Sequence, residues 1–138
     1  MGKRKNLKYP NPKASKRFSI EIEPSIDYNK LPPIFSLKHM TYQGPCCISK
    51  CEREEKSFIL DTIQRLSQST WREIRGWKKE TGFEKMPHYR FKVPLPTILT
   101  PDVAILVTRY DGQGGRIAGF REKDIFHIVL VGKDLYSH

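Results

Sequence analysis

Residues 115–138 read GRIAGFREKDIFHIVLVGKDLYSH, and this stretch decides the fold. Residues 125–131 form a short apolar run rich in β-branched side chains, which is typical of a strand buried on both faces. Only the polar residues 122–124 separate this run from the strand before it, so we expect the two strands to pair directly as a β-hairpin. A short tail follows, and it brings Lys, Tyr and His side chains to the end of the last strand. Such a sheet could bind an anionic substrate, and it could also cut one.

More strands are predicted upstream of this hairpin. Residues 103–110 begin as a buried apolar run, and the glycine-rich residues 111–115 have the composition of a hairpin loop leading into the return strand 116–121. This loop lacks the Lys-Ser/Thr pair and the following helix that a phosphate-binding loop requires. Residues 90–93 alternate apolar and polar side chains and indicate another strand, while residues 34–42 have the composition of a first strand.

Two helices are predicted between the first strand and the others. Residues 52–66 place their apolar side chains on one face at helical spacing. Thr70 and Glu73 then form a capping-box pattern that begins a second helix, and Gly82 marks its end region. The order predicts an α+β fold, in which a helical hairpin packs on one face of a curved antiparallel sheet of four to five strands. The opposite face, with the tail, would then be free for a ligand.

The 138-residue chain has the length of one domain, but its charge is unevenly distributed. The formal net charge is +10, and residues 1–17 carry seven Lys and Arg side chains and no acid. We interpret residues 1–33 as a flexible basic arm and linker, in which the alternating residues 18–23 favour a short edge strand, and residues 34–138 as a single α+β domain. A basic arm favours nucleic acid because it releases counterions from phosphates. The alternative is a solubilising or partner-binding tail.

Neither a membrane nor a metal is expected as a partner. No apolar run approaches the roughly 20 residues that span a bilayer, and no apolar segment of a signal peptide follows the basic start, so we expect a cytoplasmic protein. Cys46, Cys47 and Cys51 could join His39 as zinc ligands, but the adjacent pair and the lack of a CxxC motif favour free thiols. We expect no cofactor.

The order of elements and the tail together resemble the RelE/ParE-type toxin superfamily of bacterial toxin–antitoxin systems. The local match is Val-Gly-Lys-Asp-Leu-Tyr at residues 131–136, because RelE-like toxins end their last strand in a similar Val-Gly-basic run followed by a tyrosine near the scissile phosphate. Arg116 begins the strand where those toxins carry a phosphate-binding arginine, and Arg90 and Lys92 loosely match a Lys-x-Lys pattern of some members. Asp134 stands where a second basic residue is usual.

The resemblance implies a metal-independent endoribonuclease toxin that cleaves mRNA, also on the ribosome, and that a cognate antitoxin neutralises. Cleavage by 2′-hydroxyl attack needs cations at the phosphate and groups that take up and give protons. Arg116 and Lys133 would hold the phosphate, and Tyr136 and His127, or the final His138, would move protons. The plainer alternatives are a buried sheet histidine for His127 and a frayed chain end for the tail residues.

Positive charge and base stacking predict further contacts to nucleic acid. The residues expected to make them are Lys3, Arg4, Lys5, Arg90, Lys92, Tyr110 and Arg121. The alternative function is a non-catalytic nucleic-acid- or protein-binding module of a mobile element. The ParE branch of the superfamily, which acts on gyrase, shows that a chain resembling these toxins need not cut RNA.

Overall fold

The computed structural model describes residues 25–137. Of the predicted arm and linker, residues 1–24 with the edge strand at residues 18–23 lie outside these residues, as does the final His138. The same holds for Lys3, Arg4 and Lys5, so their proposed contacts to nucleic acid stay predictions. The described part of the arm and linker, residues 25–33, contains a 3-10 turn, and the Leu31 carbonyl accepts from the Trp71 amide. Within residues 25–137, no helix combines the length and apolar character needed to cross a bilayer.

The described chain is α+β, with one main helix and a mixed sheet of five strands. In chain order its elements are β1 (Ile34–Ser36), α1 (Arg53–Ser67), α2 (Trp71–Arg75), β2 (Glu84–Met86), β3 (Ile105–Arg109), β4 (Arg116–Glu122) and β5 (Ile125–Gly132). Short 3-10 turns lie at Tyr28–Lys30, Ile48–Lys50 and His88–Arg90.

The strand order in the sheet is β1-β5-β4-β3-β2. The pairs β2–β3, β3–β4 and β4–β5 are antiparallel, and the predicted hairpin of β4 and β5 is confirmed. The prediction of a wholly antiparallel sheet is wrong, because β1 pairs with β5 in parallel, with Ile34 opposite Ile125. Parallel pairing needs a long crossover connection, and here nearly the whole domain supplies it. The first strand is also shorter than residues 34–42, since the Ser36 hydroxyl accepts from the Lys38 amide and a turn begins there.

The β4–β5 hairpin is close-packed at an irregularity between Ala118 and Gly119, where the register shifts. A β-carbon on Gly119 would collide with the carbonyl oxygen of His127 on the facing strand. Glycine is therefore required at this point by the close approach of the two backbones.

The two predicted helices are present, but the second is a single turn. The predicted capping box at Thr70 is confirmed, because its side chain accepts from the Glu73 amide while the Glu73 carboxylate accepts from the Thr70 amide. The helix ends at Gly76 rather than near Gly82, since glycine is a weak helix former and caps the chain here. A helical hairpin is therefore not confirmed.

The strand predicted at residues 90–93 is wrong. Arg90 closes a 3-10 turn, and Phe91 makes an isolated bridge to Tyr136 instead of joining a ladder. Pro94 has no amide hydrogen to donate, which keeps this segment out of a regular sheet. The edge of the sheet is formed instead by β2, which pairs with β3.

Both faces of the sheet are buried, as predicted for the last strand. One cluster packs against the helices and contains Ile59, Trp71, Tyr110, Ile117, Phe126, Ile128 and Val131. The other contains Met86, Leu99, Ile105, Val107, Ala118, Val129, Leu130, Leu135 and Tyr136. The segment before β3 covers the face of the sheet that was predicted to be free for a ligand. Its side chains that pack into this second cluster are Leu99 and the half-buried Val93, Leu95 and Val103. Access to the sheet is therefore at its ends.

Candidate functional site

One end of the β4–β5 hairpin carries a buried pair formed by Arg116 and Tyr136. Arg116 is 7% exposed, and its Nε donates to the Tyr136 hydroxyl oxygen over 2.8 Å. Its Nη1 donates to the carbonyl oxygen of Gly115 over 3.0 Å. These two bonds fix the guanidinium at the start of β4, directly beside a phenol.

The tail that carries Tyr136 is anchored rather than frayed. The Lys92 amide donates to the Leu135 carbonyl over 2.8 Å, and the Ser137 amide donates to the Arg90 carbonyl over 2.9 Å. The Phe91 ring meets the Tyr136 ring edge-on, with centroids 5.5 Å apart. The backbone of residues 90–92 therefore holds the tail, while the side chains of Arg90 and Lys92 are exposed.

Arg116 opens onto a polar cleft of about 360 Å³ between α1, the loop before β2 and the β3–β4 loop. The cleft also contains the side chains of Arg65 and Arg109, together with the carboxylates of Glu80 and Asp111. Arg65 donates to a carbonyl oxygen of the loop before β2 over 2.9 Å, and Arg109 lies 3.9 Å from Glu80. Because arginines outnumber carboxylates, the cleft suits an anion.

Asp111 organises the glycine-rich loop at the mouth of this cleft. Its Oδ1 accepts from the backbone amides of Gln113 and Gly115, over 3.0 and 2.7 Å. Its Oδ2 lies 4.0 Å from the Lys133 ammonium. The structure thus brings three of the four predicted catalytic residues, Arg116, Lys133 and Tyr136, to one end of the hairpin.

Tyr110 is an anchor between this loop and α1. It is 5% exposed, and its hydroxyl donates to Glu55 Oε2 over 2.7 Å. Burial and this hydrogen bond raise the pKa of Tyr110, and the same bond lowers the pKa of Glu55. Stacking of a base on Tyr110 stays a prediction, and its burial leaves only a small part of the ring open to a ligand.

His127, the fourth predicted catalytic residue, lies elsewhere. It pairs with Phe120 on β4, four residues from Arg116, which is about 13 Å at about 3.3 Å per residue. Its Nε2 is 3.0 Å from the Glu122 carboxylate, and this hydrogen bond lowers the pKa of Glu122. The ring stacks on Phe120 and meets His39, both at 4.8 Å, and its buried Nδ1 has no hydrogen-bond partner within residues 25–137. The structure does not bring His127 to the cleft.

The remaining predicted cation, Arg121, lies on the helix-covered face of the sheet. Its guanidinium carbon sits 4.2 Å from the centre of the Trp71 ring, and its Nε donates to the Lys123 carbonyl oxygen. Arg121 therefore belongs to a different pocket from Arg116.

The three cysteines are free and lie close to one another in sequence. Burial raises the pKa of Cys46 and of Cys51. Burial also acts to raise the pKa of Cys47, but hydrogen bonds from the Ser49 hydroxyl and nearby backbone amides outweigh it, so the net shift is downward. His39 packs on His127, and the described part of the chain has no group of three or more His, Cys, Asp or Glu arranged to hold a metal.

Two cations of the cleft, Arg65 and Arg109, were not predicted. Arg109 follows a buried apolar run and precedes the glycine-rich loop, and this position at the end of a strand could have indicated it as a site residue. Arg65 lies on the last turn of α1 and gives no such signal. Comparison with known proteins finds no matching family model, no matching curated protein and no matching solved structure.

Proposed function

We propose that this chain binds RNA and cleaves it as a RelE-like, metal-independent endoribonuclease toxin. The observation that carries the proposal is the Arg116 guanidinium, held 2.8 Å from the Tyr136 hydroxyl at the wall of an arginine-rich cleft. A fixed cation next to a hydroxyl is the combination that phosphodiester cleavage requires.

Arg116 would bind the scissile phosphate. An arginine carries five N–H groups in a rigid fork. Two of them are used by Tyr136 and Gly115, and the others have no hydrogen-bond partner within residues 25–137. Arg116 is among the residues that line the cleft, and on this proposal its remaining N–H groups donate to phosphate oxygens there. Lys133, which lies 4.0 Å from Asp111 at the neighbouring loop, would approach the phosphate as a second cation.

The reaction would be an attack of the ribose 2′-oxygen on phosphorus. A bond forms between the 2′-oxygen and phosphorus, the bond from phosphorus to the 5′-oxygen breaks, and a cyclic phosphate and a 5′-hydroxyl result. The 2′-hydroxyl loses its proton to a solvent water, the 5′-oxygen gains a proton from the acid, and the acid is reprotonated by solvent afterwards. Tyr136 is the group placed to give the proton to the 5′-oxygen, since its hydroxyl lies beside the phosphate-binding guanidinium. A catalytic role of His127 would require a substrate that reaches the far end of the hairpin.

The finer fold assignment belongs to the same proposal. A mixed sheet with helices on one face, and an arginine and a tyrosine at one end of its last hairpin, support a RelE-like fold. On this proposal the protein acts in the cytoplasm on mRNA, including ribosome-bound mRNA, and a cognate antitoxin covers the cleft. The basic residues 1–17 would add affinity for the RNA backbone.

Burial of the pair favours the second candidate, a binding module without catalysis. Arg116 is 7% exposed and Tyr136 is 4% exposed, so a phosphate can reach the guanidinium more easily than an RNA backbone can reach the phenol. In that case the cleft would bind nucleic acid or an acidic partner segment and leave it intact.

The test compares wild-type protein with Tyr136→Phe and Lys133→Ala. Each protein is induced in a bacterial host and mRNA ends are mapped, and each purified protein is incubated with RNA in EDTA. Tyr42→Phe is the matched control, because it removes a hydroxyl from an exposed tyrosine that does not line the cleft. New mRNA ends and EDTA-resistant cleavage, lost in the two variants and kept in the control, support the nuclease. RNA binding without cleavage favours the binding module, and absence of both overturns the proposal.

A further inference from the structure

A second pocket, of about 270 Å³, lies on the helix-covered face of the sheet. Its lining includes two aromatic rings and three basic side chains, and none of its described lining residues is acidic. The aromatic residues are Trp71 and Phe83, and the basic residues are Arg75, Lys85 and Arg121. The first cleft contains carboxylates, so this second pocket has the more uniformly positive lining.

Arg121 is held rigidly in this pocket by neutral groups. Its Nε donates to the Lys123 carbonyl oxygen over 2.6 Å, and its guanidinium carbon lies 4.2 Å from the Trp71 ring centre. The Trp71 ring is itself fixed, because its Nε1 donates to the Asp124 carbonyl oxygen over 3.0 Å. The cation–π contact and the hydrogen bond orient the guanidinium without a salt bridge to a carboxylate of residues 25–137.

Arg75 is held in a similar way, by the Asn29 side-chain oxygen at 3.2 Å. Within residues 25–137, neither Arg75 nor Arg121 forms a salt bridge, whereas Arg72 on the same helix pairs with Asp27 at 3.1 Å. Burial, and after it the nearby charge of Arg75, lower the pKa of Arg121, while the more weakly acting carboxylates of Asp124 and Asp27 oppose this shift. Two fixed guanidinium groups therefore repel one another across a pocket that an anion would stabilise.

We propose that this pocket is a second phosphate-binding site, which takes a phosphate of the same RNA strand that enters the Arg116 cleft. This inference rests on the proposed function. The two sites are adjacent, because Arg109 lines the cleft and Leu106 lines the pocket on the same strand, three residues or about 10 Å apart. Two guanidinium groups and the Lys85 ammonium can donate to several oxygens of one phosphate. The sites together bind a strand of several nucleotides, rather than a single phosphodiester.

The experiment measures binding of 2′-O-methyl RNA, which cannot undergo 2′-oxygen attack, to the full chain. Oligonucleotides of about two and about twelve nucleotides are compared over a range of salt concentrations, since a dinucleotide has a single internucleotide phosphate and cannot occupy both sites, whereas the longer RNA can. The variants are Arg75→Gln and Arg75→Gln/Arg121→Gln. Arg72→Gln is the control, because it also removes one positive charge from α2. Arg72 already pairs with Asp27 and does not line the pocket.

The double variant should bind the longer RNA about ten-fold more weakly and lower the slope of log affinity against log salt by about 0.7, which corresponds to one lost phosphate contact on a single strand. The shorter RNA and the control should show wild-type values. Arg75→Gln alone should show part of this loss of RNA affinity. Because Arg75 is exposed, the single variant should keep the native fold, and it tests the site even if the double variant disturbs the packing of Trp71. Wild-type affinity and slope in both pocket variants would overturn the inference.

A second readout separates the pocket from the proposed function. Inorganic phosphate is titrated into protein labelled with ¹⁵N at arginine, and the Nε–H signal of Arg121 is followed. A saturable shift that Arg75→Gln weakens supports the phosphate site even if RNA does not bind to the wild-type cleft. If RNA binds in the Arg116 cleft but phosphate leaves the Arg121 signal unchanged, the second site is refuted and the proposed function stands.

Discussion

The Nε atom of Arg116 lies 2.8 Å from the hydroxyl oxygen of Tyr136, and this bond joins the first residue of β4 to the tail that follows β5. Both partners are buried, so removal of either one takes a hydrogen-bond partner from the other where water cannot easily replace it. The pair is at once a structural connection and the chemical centre of the proposed site, and these two roles can be separated by experiment.

Tyr136→Phe should separate them. Loss of the hydroxyl removes one acceptor from Arg116, which should lower the free energy of unfolding by about 1 kcal/mol, as measured by urea denaturation. If the hydroxyl gives a proton to the 5′-oxygen, RNA cleavage should fall by about 100-fold or more. Cleavage at the wild-type rate by a folded variant would show that the hydroxyl has only a structural role.

His127→Leu tests whether His127 acts in the same reaction. Leucine loses the hydrogen bond to Glu122 but also removes the buried Nδ1 that has no partner within residues 25–137. These effects oppose one another, so we expect the free energy of unfolding to change by less than about 1 kcal/mol. Because His127 lies far from Arg116 along the strands, RNA cleavage in the cleft should stay near the wild-type rate. A loss of cleavage with normal stability would restore the catalytic role that the sequence predicts.

The hydrogen bond between Tyr110 and Glu55 should make stability depend on pH. The pKa of Glu55 is lowered in the folded state, so its contribution is complete above its ordinary pKa of about 4.5 and is lost as pH falls through the lower, folded value. The pKa of Tyr110 is raised by burial and by Glu55, so its contribution is present below about 10 and is lost as pH rises further.

Tyr110→Phe should therefore flatten the stability profile at both ends of the pH range, as measured by urea midpoints across it. Glu54→Gln, an exposed change in the same helical turn, serves as the control and should leave the alkaline limb of the profile as in wild type. A Tyr110→Phe profile that parallels the wild-type curve throughout would contradict the assignment of this hydrogen bond.

Gly119→Ala should disrupt the hairpin. A β-carbon there would collide with the His127 carbonyl oxygen, which belongs to the paired backbone and cannot move aside cheaply. We expect a loss of about 3 kcal/mol or more, or failure to fold. Gly112→Ala is the matched control, because no atom lies within 4 Å of its added β-carbon, and its effect should stay within about 0.5 kcal/mol. Equal melting temperatures of the two variants would argue against the close approach.

The elements that the sequence predicts well are those fixed by neighbouring residues. The β4–β5 hairpin could be predicted from an apolar run and a short polar break. The start of α2 could be predicted from the capping box of Thr70 and Glu73, which are three residues apart. The parallel pairing of β1 with β5 could not be predicted in this way, because a strand of three residues carries no signal for a partner at the other end of the domain.

The alternation at residues 90–93 is real but has another cause. Phe91 packs on Tyr136 while its neighbours Arg90 and Lys92 are exposed, and the segment pairs with the tail through one isolated bridge rather than a strand ladder. The site shows the same limit. Arg116 and Tyr136 were predicted as members of one site, whereas Arg65 reaches it from α1 through tertiary packing that no local pattern encodes.

The position of β5 has a consequence for how the molecule assembles. In the described chain β5 is the last strand, yet it lies in the sheet between β1 and β4. Its side chains enter both apolar clusters, with Phe126 and Ile128 in one and Val129 and Leu130 in the other. Until this strand arrives, neither layer of the core is complete and β1 has no ladder to join. The two layers must therefore form together, in one cooperative and topologically slow step, and no stable half-domain is expected on the way.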